Sequence, residues 1–218
     1  MQNADMINVL QLGLAGKTYV KGNSVLLHNR ATASYLISSS SADDARFLLG
    51  RLRRNTGCVV THRGFERALA AERFGLEEKV PCRQFVYTGG LMPAPAHTVK
   101  PLDKSHLATV RSHYTRISSK AYILARLNAG ELFGLYEDGE LAAFGGLHSD
   151  GVMGMLEVFP PYRRRGLGRQ LTAYVVNDRL ARGLIPLAQV VEDNLPSLAM
   201  QRKLGFEEAA ESICWMYR

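Results

Sequence analysis

The chain has 218 residues, 46% of them hydrophobic and 22% charged, which excludes a disordered or fibrous protein and allows one large domain or two small ones. Its net charge of +7 divides as +5 over residues 1–96 and +2 over 97–218. Such an excess suits an anionic small ligand and is thin for a nucleic-acid-binding face, so no nucleic-acid partner is expected.

No stretch approaches the about 18 uncharged apolar residues of a membrane span. Asp5, Asn8 and Gln11 interrupt the first apolar stretch, unlike a signal peptide. A cytoplasmic protein with no membrane partner is expected. Cys58, Cys82 and Cys214 are scattered without CxxC spacing and read as inert thiols. The six histidines form no HxxxH pair, so no metal is expected.

In chain order, alternation and turn signals predict a hairpin at 24–27 and 34–39, then a helix over 43–54. A strand at 58–62, a helix over 64–74 and a strand at 83–87 follow. Met92-Pro93-Ala94-Pro95-Ala96 reads as a linker, because proline suits neither a helix interior nor a central strand. Beyond it come helices near 105–114 and 120–129, then a hairpin of 132–136 and 141–147 turning at Asp138-Gly139. A strand at 152–159, a helix over 166–182, a strand at 186–191, a helix over 195–204 and a strand at 213–217 complete the pattern. The halves echo each other: 72–78 (Glu-Arg-Phe-Gly-Leu-Glu-Glu) parallels 202–208 (Arg-Lys-Leu-Gly-Phe-Glu-Glu). A duplication and the general use of glycine at helix ends both account for the echo.

The segment from Leu156 to Leu171 concentrates the chemistry. An apolar strand ends at Pro160-Pro161 and crosses Arg163-Arg164-Arg165-Gly166-Leu167-Gly168-Arg169, four arginines and two glycines without a carboxylate. It then enters an amphipathic helix. Glycines admit close backbone approach, and the first helical turn offers unpaired N–H donors at the positive end of the dipole. Together with the arginines they form a phosphate cradle. Leu171 stands where a dinucleotide fingerprint has its third glycine, and no Lys-Ser/Thr pair makes a P-loop. A basic, solvated turn is the plain structural alternative.

Arg163-x-x-Gly166-x-Gly168 after a strand resembles the R/Q-x-x-G-x-G/A signature of the GNAT superfamily of acyl-CoA-dependent N-acetyltransferases. Asn194-x-x-Ser197 leading to Lys203-Leu204-Gly205-Phe206 resembles that superfamily's second block, and the likeness covers about 97–218. The expected fold is therefore α+β, an α/β mixed sheet, with a GNAT domain at 97–218 and a degenerate GNAT-like domain at 1–92. This tandem arrangement resembles the glycine N-acyltransferase-like branch. The resemblance implies acetyl-CoA as acyl donor, bound by Arg163, Arg164, Arg165, Gly166, Leu167, Gly168 and Arg169. It further implies that Leu156 and Val158 pair with the pantetheine arm between the splayed strands, and that Asn194 and Ser197 lie at its far side. The N-terminal half has Asp43-Asp44 at the matching helix start, so one CoA site is expected.

For catalysis the resemblance implies a backbone N–H near Val158 polarising the thioester. Relatives often carry an acidic tyrosine seven residues after the asparagine; this chain has Gln201, leaving Tyr162 and Tyr217 as substitutes. The strand positions that often hold the base are Gly154 and Val152 here. Glu157 is the first candidate, although alternation faces it the other way unless a bulge turns it. His148 is the second. A small primary amine such as an amino acid is the expected acceptor. A protein amine, or a CoA-binding regulator without turnover, remains open, as do monomer and homodimer.

Overall fold

The computed structural model describes residues 1–117 and 119–218. The first part of the chain runs α1 (Ala4–Gln11), β1 (Ala15–Lys21), β2 (Ser24–Asn29), β3 (Ser34–Ser38), α2 (Ala42–Leu49), β4 (Cys58–Thr61), α3 (Gly64–Phe74) and β5 (Glu77–Val86). Next come β6 (Thr98–Pro101), a 3₁₀ turn (Lys104–His106), α4 (Leu107–His113), α5 (Lys120–Asn128), β7 (Leu132–Glu137), β8 (Glu140–Leu147) and β9 (Met153–Val158). A second 3₁₀ turn (Pro160–Tyr162) leads to α6 (Leu167–Ala181), β10 (Leu187–Val191), α7 (Leu195–Lys203), β11 (Glu207–Glu208) and β12 (Ile213–Tyr217). Among the described residues no helix is long and apolar enough to cross a membrane.

Packing divides the chain into one unit of Met1–Val86 with Gln189–Arg218 and another of Tyr87–Ala188. This division differs from the linear one expected from the sequence, because β12 is inserted between β4 and β5, antiparallel to both. The first unit has strand order β1-β2-β3-β4-β12-β5. Its neighbours are antiparallel except β3 and β4, which run parallel across the α2 crossover. Strands β2 and β3 are buried on both faces. Leu26 and Ile37 pack with Leu48, Leu49 and Phe74 of α2 and α3, whereas Leu27 and Leu36 pack with Met6 and Val9 of α1.

The apolar spacing locates most elements, and the departures have physical reasons. Helix α1 escapes the pattern because Asp5 and Asn8 lie on its buried face. Helix α2 stops at Leu49, short of the expected 54, where Arg73 donates to the carbonyls of Leu49, Gly50 and Leu52. Strand β5 starts at Glu77, ahead of the expected 83, because its charged opening is held by pairing with β12. Strand β1 and the short β6 and β11 were not expected. The predicted turn at Asp138-Gly139 forms with φ of +50° and +84°, the double left-handed geometry of a tight hairpin.

The most tightly constrained polar group of the first unit is His62. Its ring is fully buried, with Nδ1 against the Ile37 carbonyl at 2.6 Å and Nε2 against Asp5 Oδ1 at 2.9 Å. Glu66, also buried, accepts from the N–H of Ser39 at 2.6 Å and of His62 at 2.7 Å. Burial alone would lower the His62 pKa, but Asp5 first and then Glu66 raise it above its ordinary value, while burial raises Glu66. Cys82 and Cys214 are buried, and burial pushes the Cys58 thiol up to about 11, so none is a ready thiolate.

A group whose folded pKa is raised contributes stability that is complete below its unfolded value and is lost as pH rises through the folded value. Thermal unfolding should therefore show a melting temperature that falls as pH climbs above about 6.5, the ordinary histidine value. Asp5→Asn should cost about 3–5 kcal/mol at neutral pH by leaving His62 without its counter-ion. It should also flatten that pH dependence.

Candidate active site

In the second unit, β6, β7, β8 and β9 form an antiparallel run. The start of β10 lies parallel to β9 at Ala188↔Met153. Helix α6 connects β9 to β10 and is anchored by the buried Leu167, Leu171, Val175 and Val176. The Pro-rich stretch is docked on this helix: Asn177 exchanges two hydrogen bonds with the backbone of Met92, and Gln170 accepts from the N–H of Ala96.

The loop between β9 and α6 gathers donors. Pro160 and Pro161 open a 3₁₀ turn where their missing N–H groups cost nothing. Arg164 then adopts φ +65° and Gly166 φ +78°, Gly166 being the N-cap of α6 without a side-chain cap. Left-handed residues at such a turn make successive N–H groups converge into an anion-binding concavity. The first ladder bond of the helix is Gln170 N–H to Gly166 O, at 3.2 Å. The N–H groups of residues 164–169 consequently have no acceptor among the described residues.

Two arginines of the loop are internally engaged. Arg163 donates to Glu157 Oε1 and to the Val158 carbonyl, each at 2.9 Å, and Arg165 donates to Glu137 at 2.7 Å. Arg164 and Arg169 are exposed and have no carboxylate partner among the described residues. The loop thus combines unpaired backbone donors, a helix dipole and two uncommitted cations, a set that suits a pyrophosphate.

Strand β9 carries a bulge. Gly154 opposes Gly146 and Glu157 opposes Phe144, so Met155 and Leu156 together face the single residue Gly145. Met155 takes φ +51°, uncommon for a side chain of its size. The extra residue moves Glu157 onto the face of β9 that bears Gly154, the orientation that simple alternation denies it. Phe159 N–H bonds to Ala142 O, which by register leaves the N–H and C=O of Val158 pointing away from β8.

His148 lies in the turn between β8 and β9, half-buried, its Nε2 on the side of Gly154, where a Cβ would come within 2.6 Å. Burial, and then the charge of Arg126, lower its pKa to about 4. The imidazole is therefore neutral at pH 7, with Nδ1 hydrogen-bonded to Tyr122 Oη at 2.9 Å and that hydroxyl accepting from Ser149 N–H at 3.2 Å. His148 and Glu157 share no hydrogen bond or ion pair among the described residues. Sequence reasoning missed Tyr114 and Tyr122, whose only sequence signal is a tyrosine in or beside a short apolar helix. Tyr114 packs against the cluster that holds Met155, and burial, the largest influence, raises its phenol pKa to about 12, with Arg116, Tyr122 and Glu157 the neighbouring titratable groups.

In the first unit, Asn194 is the N-cap of α7, its Oδ1 accepting from Ser197 N–H at 3.3 Å. Gln201 is buried. Tyr217 ends β12 partly exposed, whereas Tyr162 in the second unit lies beneath the Arg165 guanidinium, 5.7 Å from its ring centroid. Among the described residues no group of three His, Cys, Asp or Glu side chains is placed to hold a metal ion.

Comparison with known proteins gives the fold class. The FR47-like protein family matches residues 132–216, which hold β7 to β12 and the whole loop. A Drosophila protein of known structure is similar at 20% identity and TM-score 0.68, over 100% of this chain and 87% of that one. A GCN5-related N-acetyltransferase from Kribbella flavida is similar at 15% identity and TM-score 0.62, over 98% and 95% of the two chains. A tandem GNAT protein from the clavulanic acid biosynthesis pathway is similar at 15% identity and TM-score 0.53, over 99% and 87%. A search of the curated proteins found no match. The chain has the mixed α/β fold of the GCN5-related N-acetyltransferases.

Because Gly166 sits at φ +78°, a Cβ there is strained even though no atom crowds it. Gly166→Ala should lower stability by about 1–2 kcal/mol in urea unfolding. The same substitution at Gly57, which lies in open space without a positive φ, should be near neutral.

Proposed function

We propose that the protein is an acyl-CoA-dependent N-acyltransferase that moves an acetyl or short acyl group from acetyl-CoA to a primary amine. The observation that carries this reading is the loop of residues 164–169. Its backbone donors lack acceptors, two of its residues are left-handed, and Arg164 and Arg169 have no carboxylate partner. Such a set fits the diphosphate of CoA, which supplies a thioester as the activated acyl group. Arg163, locked onto Glu157 and the Val158 carbonyl, stiffens the turn, while Arg165 is held by Glu137. Leu156 and Val158 border the edge of β9 away from β8, where an extended arm finds backbone partners, and the Val158 N–H is the donor toward the thioester oxygen. FR47-like and GNAT similarity supports acyl transfer in general.

Glu157 is the base in this reading. The bulge brings its carboxylate to the face occupied by Gly154, where relatives often carry a base. His148, the second candidate, has Nδ1 engaged with Tyr122 and a pKa lowered to about 4 by burial and then by Arg126, which makes it a weak base that holds Tyr122 in place. A small acceptor such as an amino acid is favoured over a protein amine on the analogy with the glycine N-acyltransferase-like branch. A CoA-binding regulator is the alternative suggested by Gln201 at the usual tyrosine position.

The N-terminal half, residues 1–92, reads as a degenerate copy of the half at 97–218. Both contain a parallel strand pair joined by a helix, β3-α2-β4 and β9-α6-β10. Both end a later helix at a left-handed glycine, Gly75 and Gly205. The copy has no open cradle: Ser41 caps α2, Asp44 takes the hydroxyls of Ser24 and Ser40, and Glu66 takes the N–H groups of Ser39 and His62. One CoA per chain should therefore be found by calorimetry.

Acetyl-CoA-dependent thiol release against amino acids, polyamines and short peptides tests the function. A saturable, acceptor-dependent rate is expected, and Gly168→Val should abolish CoA binding by placing a side chain among the phosphate donors. Glu157→Gln should lower kcat by about a hundredfold with little change in CoA affinity. Full turnover in that variant would remove Glu157 from the mechanism. Tight CoA binding with no acceptor in the panel would favour the regulator.

A further inference from the structure

Of the four arginines in the loop, Arg164 and Arg169 have no carboxylate partner among the described residues, and Arg165 is held by Glu137 of β7. Arg163 instead reaches back onto the strand it follows. It is extended, at φ −66° and ψ 156°, immediately before the left-handed Arg164. From there Nε donates to the Val158 carbonyl and Nη2 to Glu157 Oε1, each at 2.9 Å. One planar guanidinium therefore spans two groups of the candidate site, the open backbone edge of β9 and the carboxylate of Glu157.

The place of the Val158 carbonyl gives this contact its meaning. Register with β8 turns the N–H and C=O of Val158 off the ladder, and on that outer edge β9 pairs with β10 only at Met153↔Ala188 among the described residues. Val158 is thus the first outward-facing residue met by an extended ligand that leaves the 164–169 loop and runs back along the strand. An amide N–H of such a ligand and Arg163 Nε approach the same oxygen from the same open side. The ion pair is also readily parted. Its arginine side chain is 57% exposed and its glutamate 25%, so separation uncovers little buried surface.

We propose that Arg163 is a positioning residue that holds Glu157 in the free protein and lets it go when the pantetheine arm of acyl-CoA takes the Val158 carbonyl, a role that rests on the acyltransferase reading above. In the free chain Arg163 satisfies that carbonyl and occupies Glu157. A carboxylate bonded to a guanidinium is a poorer acceptor for an amine proton. On giving up the carbonyl, Arg163 loses one of its two anchors, and the exposed pair that remains is weak. Glu157 is then available for the proton that the amine sheds as the new C–N bond forms. The readiness of the base is tied to the arm that carries the thioester, and not to the phosphates. The resemblance places Arg163 among the CoA-binding residues; its side chain is engaged on the arm side of the loop, with Glu157 and Val158, while Arg164 and Arg169 remain for the phosphates.

Two ligands separate the arm from the phosphates: CoA, and adenosine 3′-phosphate 5′-diphosphate, which keeps the phosphates and lacks the arm. In wild-type protein the Arg163 Nε–H resonance, assigned through its own side-chain carbons, should exchange slowly with water. CoA should shift it and speed its exchange, whereas the nucleotide should leave it in place. Calorimetry gives the second readout. Arg163→Ala should raise the ratio of CoA affinity to nucleotide affinity about three- to tenfold, because the arm no longer competes for the Val158 carbonyl. A resonance that CoA does not move, or that both ligands move alike, overturns the proposal. So does an unchanged ratio in Arg163→Ala, including an equal loss of affinity for both ligands, which would make Arg163 a phosphate contact. The resonance is read on wild-type protein, so a variant that folds poorly leaves the proposal open to refutation. Absence of saturable CoA binding by the wild-type protein would instead overturn the acyltransferase reading itself, and this role with it.

Discussion

A β-strand paired without interruption spends its backbone donors on the ladder and alternates its side chains strictly. The bulge in β9 breaks that constraint. Met155 and Leu156 share one partner, Gly145, and from that point the alternation of the strand is displaced by one residue. Glu157 then shares a face with Gly154, and Val158 directs its amide off the ladder. The cost is a left-handed methionine at φ +51°, which surrounding packing must hold in place. Met155 is itself buried in the cluster formed by α4, α5 and the strands, so the strain is distributed over a well-packed core.

The two halves of the chain treat the start of a crossover helix in opposite ways. Ahead of α6, a glycine N-cap without a side chain leaves the first helical amides open. Ahead of α2, Ser41 caps the helix and Asp43 and Asp44 lie in its first turn. A carboxylate at that point stabilises the helix through its dipole and repels any phosphate. Open donors lower the stability of a helix end and are retained where an anion completes them. Closed donors, like the Asp5–His62–Glu66 group behind them, serve the fold alone. The contrast between the halves is one of satisfied against unsatisfied backbone, more than one of overall charge.

Much of the architecture was legible because local rules and tertiary packing agree. Helix α3 begins and ends where expected, since Gly75 supplies the left-handed stop that the backbone requires. The hairpin at Asp138-Gly139 formed for the same kind of reason. Where burial overrode polarity, reading failed: Asp5 and Asn8 make α1 look polar on the face it buries, because their partners lie far along the chain. The linear division at the Pro-rich stretch likewise missed that the last thirty residues pack with the first eighty-six. Strand order is a long-range property that no local pattern encodes.

The sequence alone determined the donor-rich loop, because its chemistry is local: two glycines, a proline stop, an arginine run and a helix start are contiguous between 160 and 169. It also determined which half carries that loop and that Gln201 stands where relatives place an acid. Only the tertiary structure decided which way Glu157 faces, that His148 pairs with Tyr122, and that Tyr114 packs against the cluster holding Met155. Those facts depend on register and on contacts between elements far apart in the chain, such as Tyr122 and His148, 26 residues apart, and a one-residue slip in pairing reverses every side chain beyond it.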